Sequence, residues 1–267
     1  MLNTKQITGQ ALPDDLITAL RDATTIAVLC GAGLSAESGI PTFRDSQAGL
    51  WSKHDPMDLA SPEGFARNPQ LVWQWYQWRR SLIAETAPNA GHLALAELQS
   101  KRPSTSIITQ NVDGLQQRAG SISEHVLELH GNIERNICSR TRKPIDPAWL
   151  RDRCDQPPAS PHHPEGLARP DVVWFGESLE SATLNQSINV SQNCDLMLVV
   201  GTSGLVHPAA SLPVLAQDHG ARLLEINPQS TALSALVDWH WLQTAAIALP
   251  ALIDSLFPPK SNNAVKT

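Results

Sequence analysis

The chain alternates between short, unbroken apolar runs and longer stretches in which apolar and polar residues mix at helical spacing. The apolar runs are TTIAVLC from Thr24, TSIITQ from Thr105, HVLELH from His125, CDLMLVVG from Cys194, ARLLEIN from Ala221 and DWHWLQ from Asp238. Most are continuous rather than alternating, which is the pattern of strands buried on both faces, as in a parallel sheet covered by helices. Helical stretches fall between them. NAGHLALAELQS follows Asn89, a side chain suited to capping a helix N-terminus. HPAASLPVLAQDHG closes on Gly220, placed to turn the chain just beyond a helix end.

Two segments break this alternation. One, about residues 45–87, is Trp-rich and helical; the other, about 133–170, is Pro-rich and irregular and carries CSRTRKP and CDQPPASPHHPEG. Both leave the sheet and return to it. The expected architecture is α/β: a doubly wound parallel (Rossmann-like) sheet with a smaller inserted module, the whole of 1–267 forming one domain.

Composition narrows the classes. Apolar residues make up 42% of the 267, enough for a buried core. Net charge is −6, with 20 basic against 26 acidic residues, a poor balance for nonspecific nucleic-acid binding. No apolar run reaches the ~18 residues of a spanning helix. The opening MLNTKQITGQ lacks the apolar core of a secretory leader. A cytoplasmic protein with no nucleic-acid or membrane partner is expected. Four widely spaced cysteines do not make a disulfide framework.

The first strand runs into GAGLSA, a G-x-G-x-x-A turn of the kind that binds dinucleotide phosphates. Gly31 permits the tight turn, Ala32 follows it, Gly33 lets a pyrophosphate approach the backbone, and Ala36 lets the next helix pack closely. Alone, such a turn is equally an ordinary strand-to-helix connection. No second strand ending in an acid lies about 20 residues on, as the usual fingerprint requires. Pro41, Phe43 and Arg44 come instead, which points to a loop covering whatever the glycines bind. TQNVDG also follows a strand and crowds Gln110, Asn111 and Asp113 into one turn. His130 ends a further strand, at the edge where parallel sheets place ligands.

At this point GAGLSAESGIPTFRD closely resembles the signature of the sirtuin family, the NAD-dependent protein-lysine deacylases. TQNVDGL, LHG, RPDVVWFGE and GTSGLVHPAA are similar to four further family motifs, in family order, and together they span about residues 24 to 250. The resemblance implies that NAD is a consumed co-substrate and that acyl groups leave protein lysines as O-acyl-ADP-ribose, with nicotinamide and free lysine released. The loop bearing Phe43 and Arg44 would cover the nicotinamide half. Gln110 and Asn111 would face its ribose, and Asp113 would bind the carboxamide beside the backbone near Ile40. Gly201, Thr202 and Ser203 would line the phosphates and Asn227 the adenosine ribose. LQTAAIALP resembles the adenine-side segment, with Thr244 where relatives often carry glycine, and Gln116 stands where many carry histidine. His130 would be the general base, taking a proton from a ribose hydroxyl.

In NPQLVWQWYQWRRSL, Tyr76 and Arg79 are three apart and share one helix face. A packed aromatic helix with a solvated arginine would read the same way. The sirtuin subgroup that removes succinyl and malonyl groups carries a Tyr-x-x-Arg pair here, and Ala60 matches its small residue that leaves room for a longer acyl chain. The resemblance thus implies activity on acidic acyl groups beside acetyl. Val172, Trp174, Phe175 and Gly176, opposite GLVH, would hold the acylated peptide as an extra strand. The family usually holds a structural zinc on two C-x-x-C pairs. Cys138 and Cys154 occupy the first positions, but Thr141 and Pro157 stand where partners belong, so no metal is expected; packing around Trp149 and the prolines would take its place. Cys30 and Cys194 read as small buried hydrophobes. Two other functions remain open from the residues: a mono-ADP-ribosyltransferase or NAD hydrolase, and a non-catalytic NAD-binding sensor.

Overall fold

A computed structural model describes residues 4–9, 11–40, 54–150 and 156–258. Strand β1 (Lys5–Ile7) and helix α1 (Asp14–Asp22) precede β2 (Ile26–Cys30), which turns into the short α2 (Gly33–Ala36). Helices α3 (Pro56–Leu59), α4 (Pro62–Arg67), α5 (Pro69–Ala84) and α6 (Ala90–Lys101) lead to β3 (Thr105–Thr109) and α7 (Leu115–Arg118). Then come β4 (Val126–Glu128), β5 (Gly131–Cys138), β6 (Pro144–Ile145), α8 (Pro147–Leu150) and β7 (Ala168–Val172). The chain closes with α9 (Ser181–Asn193), β8 (Leu196–Val200), α10 (Leu212–Asp218), β9 (Arg222–Ile226), β10 (Trp239–Trp241) and α11 (Ala245–Leu256).

Seven parallel strands form the main sheet in the order β1-β10-β9-β8-β2-β3-β4. From β2 the chain winds outward through β3 and β4, then returns to β8 and winds the other way. The order reverses between β2 and β8, so the crevice at their carboxyl ends is where such a sheet binds ligands. Every residue of β2 and β8 is buried. Ile26, Val28 and Cys30 face one core with Leu20 of α1, Leu95 and Leu98 of α6 and Leu252 of α11. Ala27 and Leu29 face the other, with Leu212 and Ala216 of α10. Asn89 caps α6, its Oδ1 accepting from the Gly91 and His92 amides. Gly220, at φ 96°, takes the left-handed turn after α10. No helix among the described residues is long and apolar enough to cross a membrane.

Two elements differ from the sequence reading. The opening Lys5–Ile7 is a strand, although only Ile7 is buried; it is held by parallel pairing of Lys5 with Trp239 and Ile7 with Trp241. Three residues are too few for an apolar pattern to show. The region read as irregular contains an antiparallel sheet in the order β6-β5-β7. Pro144 and Pro170 sit in its two outer strands, where a missing N–H breaks no ladder. β5 carries a register shift between Asn132 and Asn136, which hides its alternation. Arg80 of α5 stitches that irregularity: its guanidinium donates to the carbonyl oxygens of Ile133 (2.6 Å) and Arg135 (3.2 Å) and to Asn136 Oδ1 (2.8 Å). A separate core of Leu59, Phe65, Val72, Trp75, Ile133 and Trp174 joins α3–α5 to this small sheet.

The glycines after β2 do more than bend the chain. Gly33 N–H donates to Gly201 O at 2.8 Å, and Gly31 N–H to Val200 O at 3.0 Å. A Cβ on Gly33 would lie 2.6 Å from Gly201 Cα, and one on Gly201, at φ 58°, would lie 2.5 Å from Leu34 N. Two turns from adjacent strands therefore interlock main chain against main chain. Ala36 plays no packing role, contrary to expectation: α2 is only four residues long and Ala36 is exposed at its end. Gly33→Ala is expected to lower stability by about 1–3 kcal/mol, since neither facing backbone can yield cheaply. Denaturant unfolding checks this, and an unshifted midpoint would contradict the interlock.

Candidate active site

The expected polar residues converge on the carboxyl ends of β2, β3, β4 and β8. Asn111 Nδ2 donates to Gly31 O (3.0 Å) and to Ser35 Oγ (3.1 Å). Ser35 Oγ donates to Asp113 Oδ2 (2.7 Å), while Asp113 Oδ1 accepts the Leu115 amide (2.9 Å). His92 adds the last member. Its Nδ1 accepts the Asn89 N–H at 3.3 Å, so the neutral ring carries hydrogen on Nε2, 3.3 Å from Ser35 Oγ. Burial holds the His92 pKa below its ordinary value, against the pull of Asp113. Ser35 thus receives hydrogen bonds from Asn111 and His92 and passes one to buried Asp113. Sequence reasoning missed both Ser35 and His92. Ser35 is hidden among small turn residues, and His92 looks like an ordinary member of a capped helix. The one available signal is its place three residues after Asn89, where a side chain can return to the cap backbone.

His130 is oriented by main chain alone. Its Nδ1 lies 2.9 Å from Gln110 O. A carbonyl only accepts, so Nδ1 carries the hydrogen and Nε2 keeps its lone pair. Burial pushes the His130 pKa below 6.5, and the bond to Gln110 opposes that shift. Gly131 follows at φ 79°, where a Cβ would lie 2.1 Å from Asp171 O; only glycine lets β7 run this close. The Val173 amide then donates to His130 O at 2.9 Å. Gln110 Nε2 donates to Thr202 Oγ1 (2.9 Å), and Asn227 Nδ2 to Thr202 O (3.1 Å). Ala32 and Ser203 are exposed at the mouth of the β2–β8 crevice. Thr244 Oγ1 and the Ala246 amide both donate to Glu37, which satisfies the start of α11. Phe43 and Arg44 lie outside the described residues, so the expected covering loop does too.

A second group of side chains lies within electrostatic reach of Asp113. Tyr76 is buried in α5, and its Oη accepts Trp174 Nε1–H at 2.9 Å. Tryptophan nitrogen only donates, so the phenol keeps its own hydrogen to give. Arg79 stacks on Trp75 at 5.0 Å, and no carboxylate pairs with it among the described residues. Burial lowers its pKa, while Tyr76 and Asp113 favour its charge. Ala60 is buried, and its carbonyl accepts the Phe175 amide at 2.9 Å. Val172 ends β7, Trp174 is buried, and Phe175 and Gly176 are exposed.

Residues 31–208 match the Sir2 family. The chain belongs to that family. An NAD-dependent protein deacylase of Aquifex aeolicus is 45% identical over 237 residues, covering 86% of this chain and 95% of the relative. The crystal structure of a Sir2 homologue–NAD complex superposes with a TM-score of 0.86 at 36% identity, covering 94% of this chain and 96% of that one. A complex of Sir2 with a p53 peptide and NAD+ gives a TM-score of 0.79 at 29% identity, covering 91% and 98%.

Around Cys138 the described residues assemble no tetrahedral donor set. Cys138 is fully buried; burial acts to raise its pKa, but hydrogen bonds from Ser160 and Thr141 bring it down to about 7. His162 Nε2 donates to Pro144 O (2.7 Å), and His163 Nδ1 accepts the Glu165 amide (3.1 Å). Among the described residues no three His, Cys, Asp or Glu side chains are grouped to hold a metal, and Cys154 lies outside them. The sequence points to packing around Trp149, but Trp149 is 41% exposed and Cys138 packs instead on Trp73, Ile145 and Ala168. Cys30 and Cys194 are inert thiols, pushed up by burial to about 12 and about 11. Elemental analysis of the purified protein is expected to find no stoichiometric zinc, and chelator treatment to leave Tm unchanged. One tightly held zinc per chain would overturn this.

Proposed function

We propose that the protein is an NAD-dependent protein deacylase in which His130 is the general base and the Tyr76–Arg79 pocket selects acidic acyl groups on lysine. NAD fits the donor set at the β2–β8 crevice. The small residues Ala32, Gly33, Thr202 and Ser203 leave its mouth without a bulky side chain, and Asn111 and Asp113 stand beside it. When bound, NAD supplies an electrophilic ribose carbon as nicotinamide departs and the acyl oxygen of the lysine adds there. Asp113 and Asn111, held by Ser35, orient that end of the co-substrate. Gly201, Thr202, Ser203 and Asn227 take its phosphates and adenosine ribose. Val172 to Gly176 hold the peptide main chain as an added strand.

The observation that carries the reading is the tautomer of His130. Nδ1–H is committed to Gln110 O. Nε2 is therefore a lone-pair acceptor, and an imidazole with pKa below 6.5 is neutral and ready at pH 7. It accepts the proton of a ribose hydroxyl, which makes that oxygen a nucleophile toward the bound acyl carbon. His130→Ala is expected to lower kcat by about 10²–10⁴ with NAD affinity retained. The acid limb of the kcat profile is expected below pH 6.5, because activity needs the neutral ring and is lost as pH falls through the lowered pKa. Stopped assays of acyl transfer across pH check both; a limb above pH 7, or near-normal turnover without the imidazole, would reject His130.

Arg79 and the available hydrogen of Tyr76 support the choice of acyl group. A terminal carboxylate placed there receives charge-assisted bonds from both. Arg79→Met is expected to lower kcat/KM on a succinyl-lysine peptide about tenfold or more while sparing the matched acetyl peptide. Equal losses on both peptides would reject the pocket. Nicotinamide release that needs no acylated peptide would reject deacylation itself.

A further inference from the structure

Behind the Gly201–Gly204 turn lies a buried polar node that the proposed chemistry leaves unused. Glu225 of β9 is completely buried. Its Oε1 accepts Thr231 Oγ1 and its Oε2 accepts Ser234 Oγ, each at 2.5 Å. His240 of β10 stands directly opposite Glu225 in the parallel register and is equally buried. Its Nε2 lies 3.7 Å from Glu225 Oε2 and 3.3 Å from Asn227 O. Since the carbonyl only accepts, the hydrogen is on Nε2 and is given to Asn227 O, with Glu225 Oε2 nearby but beyond hydrogen-bond reach. A buried carboxyl group is tolerated only with its oxygens satisfied, and here the satisfying groups come from the segment that follows the strand. The same hydroxyls also fix that segment's backbone. Ser234 Oγ accepts the Thr231 amide (2.8 Å), and Thr231 Oγ1 accepts the Leu233 amide (3.0 Å).

Two contacts carry this order outward. Asn227, whose carbonyl faces His240, donates its Nδ2–H to Thr202 O at 3.1 Å. Leu233, fixed between the two hydroxyl residues, packs against Gly204, where a Cβ would lie 2.6 Å from Leu233 Cγ. The turn is thus braced at both ends from one node: Thr202 through Asn227, and Gly204 through Leu233. Without the node, the exposed run from Pro228 to Ser230 would have little to fix its path.

We propose that Glu225, acting through Thr231 and Ser234, and His240, acting through the Asn227 carbonyl, are positioning residues that hold Asn227 and the Gly201–Gly204 turn in the shape that receives the dinucleotide. This rests on the reading of Asn227 and that turn as NAD-binding. The four residues touch neither co-substrate nor peptide; their effect is on how well the site is preformed. Loss of a hydroxyl that satisfies Glu225 lets the segment shift, so the loss falls on NAD affinity rather than on the acyl-transfer step.

The test compares Thr231→Val, Ser234→Ala, Thr231→Ser and Asn227→Ala in the full chain. NAD is the titrant in calorimetry, and KM for NAD and kcat are measured with saturating acyl-lysine peptide. Thr231→Val and Ser234→Ala are expected to raise both Kd and KM for NAD about tenfold with kcat unchanged. Thr231→Ser, which keeps the hydroxyl, is expected to retain wild-type values. Unchanged NAD affinity in Thr231→Val beside a weakened Asn227→Ala would overturn the positioning role alone. Unchanged affinity in Asn227→Ala would remove the cofactor-site reading beneath it. A fall in kcat and Tm with KM unmoved would also overturn the proposal, since it marks a purely structural staple.

Discussion

The approach of two glycine turns, Gly31–Gly33 after β2 and Gly201 after β8, is the constraint on which the rest of the site depends. Adjacent parallel strands lie close together, and two turns leaving their carboxyl ends would normally collide. Removing the Cβ atoms lets them lock instead, with the Gly33 amide on Gly201 O. The lock forms where the winding of the sheet reverses. It fixes the distance between the β3 side of the crevice, which carries Asn111 and Asp113, and the β8 side, which carries Thr202. Asn111 reads that distance directly through its bond to Gly31 O, and Gln110 spans it to Thr202 Oγ1. The rigidity of the crevice is therefore mostly main-chain rigidity.

His130 shows what such rigidity does for chemistry. In a serine-protease triad a carboxylate orients the imidazole and stabilises the imidazolium. Here a backbone carbonyl does the orienting, and among the described residues no carboxylate pairs with the ring. The orienting bond raises the basicity of the ring less than burial lowers it, so the pKa stays below its ordinary value. Its position is equally a backbone matter. β4 ends two residues before it, β5 begins one residue after it, and its carbonyl holds the Val173 amide of the peptide-side segment. One residue thus links the main sheet, the small sheet and the proposed peptide edge.

Much of this was legible in the sequence, and the exceptions have physical causes. The continuous runs at 26–30 and 196–200 announced a sheet covered on both faces, because burial on both sides removes any polar alternation. Turn residues after β2, β3 and β8 marked the crevice. β1 was not legible, since its pairing rather than its own composition makes it a strand. The small sheet was hidden by edge prolines and by the register shift that Arg80 stabilises from another part of the chain. Ser35 and His92 were hidden for a different reason. Their importance lies in the direction of a hydrogen-bond chain, Asn111 and His92 into Ser35 and Ser35 into Asp113, which composition and spacing do not encode.

The same logic of direction bears on the acyl pocket. Arg169, almost wholly buried, makes two bonds to Glu177, at 2.7 and 2.8 Å, and its guanidinium carbon lies 3.3 Å from the centre of the Trp174 ring. Burial works to raise the Glu177 pKa, but Arg169 holds it below the ordinary carboxylate value, and Glu177 in turn accepts the Trp174 amide. Trp174 is fixed in plane and position, so its indole N–H always reaches Tyr76 Oη. That donor occupies a lone pair of the phenol oxygen and leaves the phenol its own hydrogen to give. Arg169 has its carboxylate within the protein, whereas Arg79, on the same helix face as Tyr76, has none among the described residues. A cation partly withdrawn from water with no carboxylate beside it bears a desolvation cost, which a neutral acyl group would not relieve. An acyl chain ending in a carboxylate would relieve that cost at the atoms where it is incurred, and this is the physical ground for the proposed bias toward acidic acyl groups.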